Sequence, residues 1–165
     1  MPSGTLFTYV DAGAGLPPDA DRGIWTRAVL SLHVVGVVEY NPTSVTRYHY
    51  KLALPTTFVG SLVATLFLRT KSASLGGVVM EVAAYSAPVG SFVEGAFQAV
   101  TVTASPTANS YSLLEAIAQV SGGSPGLNAG QPLMTRISRL GTDASDTHPG
   151  SVELLGTLYS MVGSE

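Results

Sequence analysis

The chain has no cysteine, which removes disulfide scaffolds, thiolate zinc sites, iron–sulfur centres and cysteine nucleophiles. Charge is also scarce. Lys, Arg, Asp and Glu make up 12% of 165 residues, where ordinary soluble proteins carry roughly 25%. The surface must therefore be covered largely by Ser, Thr, Gly, Ala and exposed apolar groups. Eight basic residues against eleven acidic ones leave a net charge of −3. Residues 1–82 hold six basic and five acidic groups (+1), and residues 83–165 hold two and six (−4). Neither half is basic enough to track a phosphate backbone, so no nucleic-acid partner is expected. No basic segment precedes an apolar run at the start, and the most apolar window, Ala28 to Val38, is broken by Ser31 and His33. Neither a signal peptide nor a membrane span is expected.

A chain of this length, 45% apolar, fits one domain with one core. Residues 1–22 read as an extended N-terminal arm: Asp11 to Gly23 collects small, Pro and acidic residues without a period of 2 or 3.6. Leu6, Phe7, Tyr9 and Val10 are more apolar than a solvated tail requires, so they are the expected arm contacts, docking on a neighbouring subunit. Deletion of residues 2–18 is expected to leave the fold intact.

Residues 23–165 read as a single β domain. Short β-prone runs alternate with Gly, Pro, Asn and Ser clusters, the pattern of an all-β antiparallel sandwich or barrel. Ile24 to Tyr40 is long enough for two strands or for one bent at Gly36. From Arg47 to Leu54 the chain alternates, with Tyr48, Tyr50, Leu52 and Leu54 on one face and Arg47, His49 and Lys51 on the other. Further strands are expected at Leu62 to Arg69, Val78 to Ser86, Phe97 to Thr103, Leu133 to Leu140 and Val152 to Val162. Ser112 to Val120 carries a capping-box pattern at Ser112 and Glu115, but also β alternation, and the all-β surroundings favour a strand.

No motif nominates catalysis. The Gly-x-Ser-x-Gly elbow, the phosphate loop, a full dinucleotide fingerprint and His-Glu-x-x-His are absent. His33, His49 and His148 sit in separate segments without metal-ligand spacing. A Ser/His/Asp site or a carboxylate pair assembled in space stays open at this level, yet no feature points to one, and no enzymatic activity or cofactor is expected. The richest polar stretch is Arg136-Ile-Ser-Arg139-Leu-Gly-Thr-Asp143-Ala-Ser-Asp146-Thr147-His-Pro-Gly150. Its Asp and Thr oxygens could ligate calcium, but EF-hand spacing is missing. Asp143, Asp146 and Thr147 are better read as loop-shaping groups that accept from nearby amides, with Arg136 and Arg139 pairing to the carboxylates. Loss of Asp146 is then expected to cost about 1 kcal/mol. Trp25, Tyr48 and Tyr50 offer flat apolar faces with polar edges suited to core packing or, as candidate contact residues, a subunit or capsid interface, and Tyr48 and Tyr50 near a sheet edge would also suit a glycan reader.

Two stretches resemble a known group. Leu54-Pro55-Thr-Thr-Phe58-Val-Gly60-Ser-Leu62 through Phe67 is similar to a segment of tailed-phage virion jelly rolls. The stretch from Arg136 through Asp143, Asp146, Thr147 and Gly150 to Tyr159 resembles their closing hairpin. Within that group the chain looks most like the capsid decoration proteins of long-tailed Thermus phages. The resemblance implies a jelly-roll β-sandwich and a homotrimer on the outer capsid surface that binds the major capsid protein and stabilises the shell without enzymatic activity. The alternative is a trimeric jelly-roll receptor-binding, fibre or baseplate module that binds host glycans. The apolar content leads to the expectation of exposed apolar patches serving as the interface.

Overall fold

The computed structural model describes residues 3–11, 24–30, 33–86, 98–104, 113–120 and 127–164. These described residues form ten strands: β1 Ser3–Asp11, β2 Ile24–Leu30, β3 His33–Tyr40, β4 Val45–Ala53, β5 Phe58–Thr70, β6 Val78–Ser86, β7 Gln98–Ala104, β8 Leu113–Val120, β9 Pro132–Leu140 and β10 Val152–Ser164. All pairs are antiparallel. One sheet has the order β2-β3-β10-β5-β8, with β1 also on β10; the other has the order β4-β9-β6-β7.

The pairing β3 with β10, β4 with β9, β5 with β8 and β6 with β7 is nested like a single long hairpin. Folding that hairpin over itself puts β3, β10, β5 and β8 in one sheet and β4, β9, β6 and β7 in the other. This is the jelly-roll topology. The β-sandwich follows because each sheet has one apolar face to bury.

Alternation supplies those faces. In β5, Leu62, Ala64, Leu66 and Leu68 are fully buried, while the residues between them are half-buried. In β4 the alternation buries Tyr48 and Tyr50, and in β9 it buries Leu133, Thr135 and Ile137. Val78, Met80, Val82 and Ala84 of β6 meet Val152, Leu154, Tyr159 and Met161 of β10 in the same core. Two hydroxyls tie the sheets together across it. Tyr159 Oη and Thr135 Oγ1 lie 2.9 Å apart, and Tyr40 Oη donates to the Ile137 carbonyl at 3.3 Å.

Three features differ from the sequence reading or resolve it. Ile24 to Tyr40 is two strands, the first of the two expected alternatives, with β2 ending at Leu30 and β3 beginning at His33, and Gly36 stays paired with Arg27 within β3. Residues 113–120 are a strand, because β5 is already there to pair with them from Leu62 to Arg69. Residues 3–11, at the start of the expected arm, form β1 along Gly156–Ser164 of β10. The surface that receives this segment thus belongs to the same chain. The β10 register shifts between Leu154 and Gly156, where its neighbour changes from β3 to β1. A bulge there lets one long strand serve two partners.

Candidate functional site

Two polar constellations stand out among the described residues. The first is a buried clamp at the end of β9. Arg139 is fully buried and donates from Nε and Nη2 to the two oxygens of Asp146, at 2.9 and 2.6 Å. Its Nη2 also donates to the His148 carbonyl at 2.8 Å, and Nη1 to the Gly150 carbonyl at 2.7 Å. Asp146 Oδ2 accepts in addition from the Val79 amide of β6 at 2.9 Å. Both carboxylate oxygens are thus taken by N–H donors. Asp143 Oδ1 accepts from the Ser145 amide at 2.8 Å, a local turn bond on an exposed side chain. Thr147 Oγ1 accepts from the Gly77 amide, and the Thr147 and His148 amides donate to the Gly77 carbonyl.

The loop of residues 141–150 is therefore stitched to the loop of residues 71–77. Gly76 makes that contact feasible: its φ is +142°, and a Cβ there would lie 2.7 Å from the Thr147 carbonyl oxygen. His148 is buried, with Nε2 3.2 Å from Ser72 Oγ. Burial holds its pKa below 6.5, and the nearby Arg139 guanidinium pushes the same way. Asp146 and the Ser74 backbone act in the opposite sense.

The second constellation is the outer face of the sheet β4-β9-β6-β7. Register places Arg47 opposite Ser138, which is opposite Glu81, which is opposite Thr101. The adjacent row runs from His49 to Arg136 to Ala83, and the next from Lys51 to Met134 to Tyr85. Arg136 Nη2 donates to Glu81 Oε1 at 3.0 Å, with Ser138 Oγ 3.4 Å from the same oxygen. Arg47, His49 and Arg136 are half-buried and Lys51 is exposed, whereas Tyr85 is only 9% exposed. The described charges on this face are three basic groups and one acid, in a chain whose net charge is −3. On the other sheet, among the described side chains, Arg69 pairs with Glu153, and Lys71 Nζ lies 2.8 Å from Glu39 and 4.0 Å from Glu153.

The residues singled out by sequence separate accordingly. Arg139, Asp146 and Thr147 come together in the clamp, Asp143 shapes its turn, and Arg136 lies on the outer face of the sheet β4-β9-β6-β7, paired with Glu81. Tyr48 and Tyr50, expected as contact residues, are each 1% exposed and pack edge-to-face with ring centroids 5.3 Å apart in the core. This is a correction. Alternation on β4 turns both rings inward, where burial raises the Tyr48 pKa and, with help from Tyr50, Tyr159 and Tyr48, that of Tyr40. The expected apolar patches also differ from the structure: among the described residues only Val59 and Leu75 are exposed large hydrophobics. Leu6, Phe7, Tyr9 and Val10 stand opposite Met161, Ser160, Leu158 and Thr157 in the β1–β10 register, and Trp25 opposite Val38; their side chains lie outside the described residues. Sequence reasoning passed over Glu81 and Ser138 as site residues. The alternation within β6 and β9 marked their face, but nothing in it marked that Arg47 and Arg136 would be their neighbours.

No family model matches the sequence, and no curated protein matches it. Solved structures give distant likenesses. An exo-β-1,3-galactanase from Phanerochaete chrysosporium, solved with galactose, aligns at TM-score 0.49 and 13% identity over 93% of this chain and 29% of that one. A family two carbohydrate esterase from Cellvibrio japonicus gives 0.42 and 8% over 98% and 34%, and TmCBM61 in complex with β-1,4-galactotriose gives 0.37 and 11% over 96% and 87%. The chain spans about a third of the length of the first two. At such scores these likenesses carry no functional argument, and the jelly-roll assignment rests on the strand pairing itself.

Proposed function

We propose that the chain is a structural virion protein: a jelly-roll decoration subunit that forms a homotrimer, binds the major capsid protein on the outside of a phage shell and stabilises it without catalysis. The observation that carries this reading is the architecture of the stretch that resembles virion jelly rolls. Arg139, Asp146 and Thr147 lock its loop, and Tyr159 struts the two sheets. The stretch is not a hairpin in the structure: β9 and β10 lie in different sheets, and these residues fix the loop that crosses between them. Fold alone leaves the role open, because jelly rolls serve capsids, lectins and enzymes alike. The low charge content supports assembly, since few ionic groups need be desolvated at a contact. The test is location: antibody labelling and cryo-EM of particles purified from the source of the chain should place it on the shell in three-fold clusters. Absence from the shell would sink the proposal.

A second reading is a jelly-roll module that binds host glycans at a tail or fibre tip, since jelly rolls also serve as lectins. A glycan array combined with labelling confined to the tail tip would establish it in place of the first.

A further inference from the structure

We infer that the junction between the loops of residues 71–77 and 141–150 is an acid-released latch: protonation of His148 frees residues 72–77 from the neighbouring loop while the sandwich stays folded. The ring of His148 is a plug beneath that junction, 1% exposed. Its Nε2 lies 3.2 Å from Ser72 Oγ, and Gly150 closes the same corner: a Cβ built there would stand 2.4 Å from Ser72 Oγ and 3.3 Å from His148 Nε2. A corner too tight for a methyl group has no room for a water that could solvate a charged ring. Two charged groups act on the ring, Arg139 from β9 and Asp146 from its own loop. Both are already engaged. Arg139 spans Asp146 and the carbonyls of His148 and Gly150, and the Asp146 oxygens accept from Arg139 and from the Val79 amide of β6. From the 71–77 loop the ring meets neutral groups, Ser72 Oγ and the Ser74 backbone, while Lys71 at the base of that loop turns to Glu39 and Glu153. A protonated His148 would thus be a second buried cation beside Arg139, with no carboxylate oxygen of its own.

The two walls around the ring are held unequally. Residues 146–150 are tied to β9 by the four hydrogen bonds of the Arg139 guanidinium. The other wall is anchored at its two ends, by the Lys71 amide on the Ser151 carbonyl and by the Val79 amide on Asp146. Between those anchors it is held by Ser72 on the ring and by Gly77, whose carbonyl accepts from the Thr147 and His148 amides and whose amide donates to Thr147 Oγ1. One of those donors is the backbone of His148 itself, so displacing the ring pulls on the same stitch. Residues 72–77 are the wall that yields, and Leu75, one of the two exposed large hydrophobics among the described residues, moves with them. Burial and Arg139 hold the His148 pKa below 6.5 in the closed junction. The ring released into water takes up the proton more readily, so opening is favoured as pH falls through 6.5.

The experiment measures amide hydrogen exchange by NMR on the full chain from pH 7.5 to pH 5.5, together with the ring titrations of its three histidines. Rates are expressed as protection factors, which remove the intrinsic pH dependence of exchange. The expected result is a loss of at least about threefold in protection at the amides of Gly77, Thr147 and His148, in step with the His148 ring. The Val79 amide and the β5 amides of Leu62, Leu66 and Leu68 should keep theirs. His148→Gln should remove the pH dependence at the junction, and the ring titration of the wild-type chain carries the test if that variant does not fold. Junction protection that stays constant across this range would overturn the latch. An equal loss in β5 would overturn it in favour of global destabilisation, and a pH dependence that persists in folded His148→Gln would assign the release to another group. None of these outcomes touches the decoration reading, which stands or falls on location.

Discussion

Asp146 and Asp143 lie three positions apart in one loop, yet they are expected to respond very differently to removal. Asp146→Ala leaves the fully buried Arg139 guanidinium without its counter-charge and the Val79 amide without its acceptor. Such a loss costs about 3–5 kcal/mol, well above the roughly 1 kcal/mol of a lost turn bond. Asp143→Ala removes an exposed bond within one turn and should cost no more than about 1 kcal/mol. Urea denaturation of both variants checks the contrast, and equal midpoints would refute the clamp. His148 gives a pH dependence. Its folded-state pKa lies below the ordinary 6.5, so folding favours the neutral ring. That contribution is complete above pH 6.5 and is lost as pH falls through 6.5 towards the folded-state value, because the unfolded chain takes up the proton first. A charged ring at that site would face Arg139, with Asp146 already paired and Ser72 beside Nε2. Melting temperatures measured from pH 8 to pH 5 should fall on the acid side, and His148→Gln should flatten the part of the fall that lies below pH 6.5.

Among the elements, β1 carries the clearest consequence. Its nine residues pair with Gly156–Ser164 of β10, so removing residues 1–11 strips that edge of its ladder partner. The shortened chain is expected to show faster amide exchange in Gly156–Ser164 and a greater tendency to associate through the bared edge. Unchanged exchange would restore the reading of a free arm. The contact between the loops of residues 71–77 and 141–150 is a second element-scale test. Gly76→Ala combines a φ that L-residues rarely adopt with a Cβ pressed on the Thr147 carbonyl, so it should destabilise by more than the roughly 1 kcal/mol scale of ordinary Gly-to-Ala changes. Thermal melting reads it directly. The sheets themselves are held by Tyr159, and Tyr159→Phe should cost about 1 kcal/mol by leaving the buried Thr135 hydroxyl one partner short.

For the whole molecule, the expected outcome is a trimer at micromolar concentration in analytical ultracentrifugation, and a monomer would count against the proposed assembly. Closed rotation buries exposed faces without propagating into fibres. Because the described surface holds few exposed large hydrophobics, the contacts between subunits are expected to be polar and salt-sensitive. Added to capsids, the protein should raise their resistance to heat by binding the assembled lattice in preference to free shell subunits.

Much of this was legible in the residues themselves. Alternation needs only local information: a period of 2 on a backbone that must bury one face fixed Tyr48 and Tyr50 inward and Arg47, His49 and Lys51 outward. The same rule should have withdrawn Tyr48 and Tyr50 as contact residues, since a ring in the buried register is unavailable to a partner. The polar richness of Arg136 to Gly150 was visible too. Its energetics were not, because burial decides whether an Arg–Asp pair is worth a few tenths of a kcal/mol or several. The nesting of β3 to β10, the meeting of Glu81 with Arg136 and the return of β1 onto β10 are long-range pairings. Local sequence states which residues want to be inside and which outside. Only the folded chain decides which of the many strands that satisfy this rule become neighbours, and with them which charges share a face.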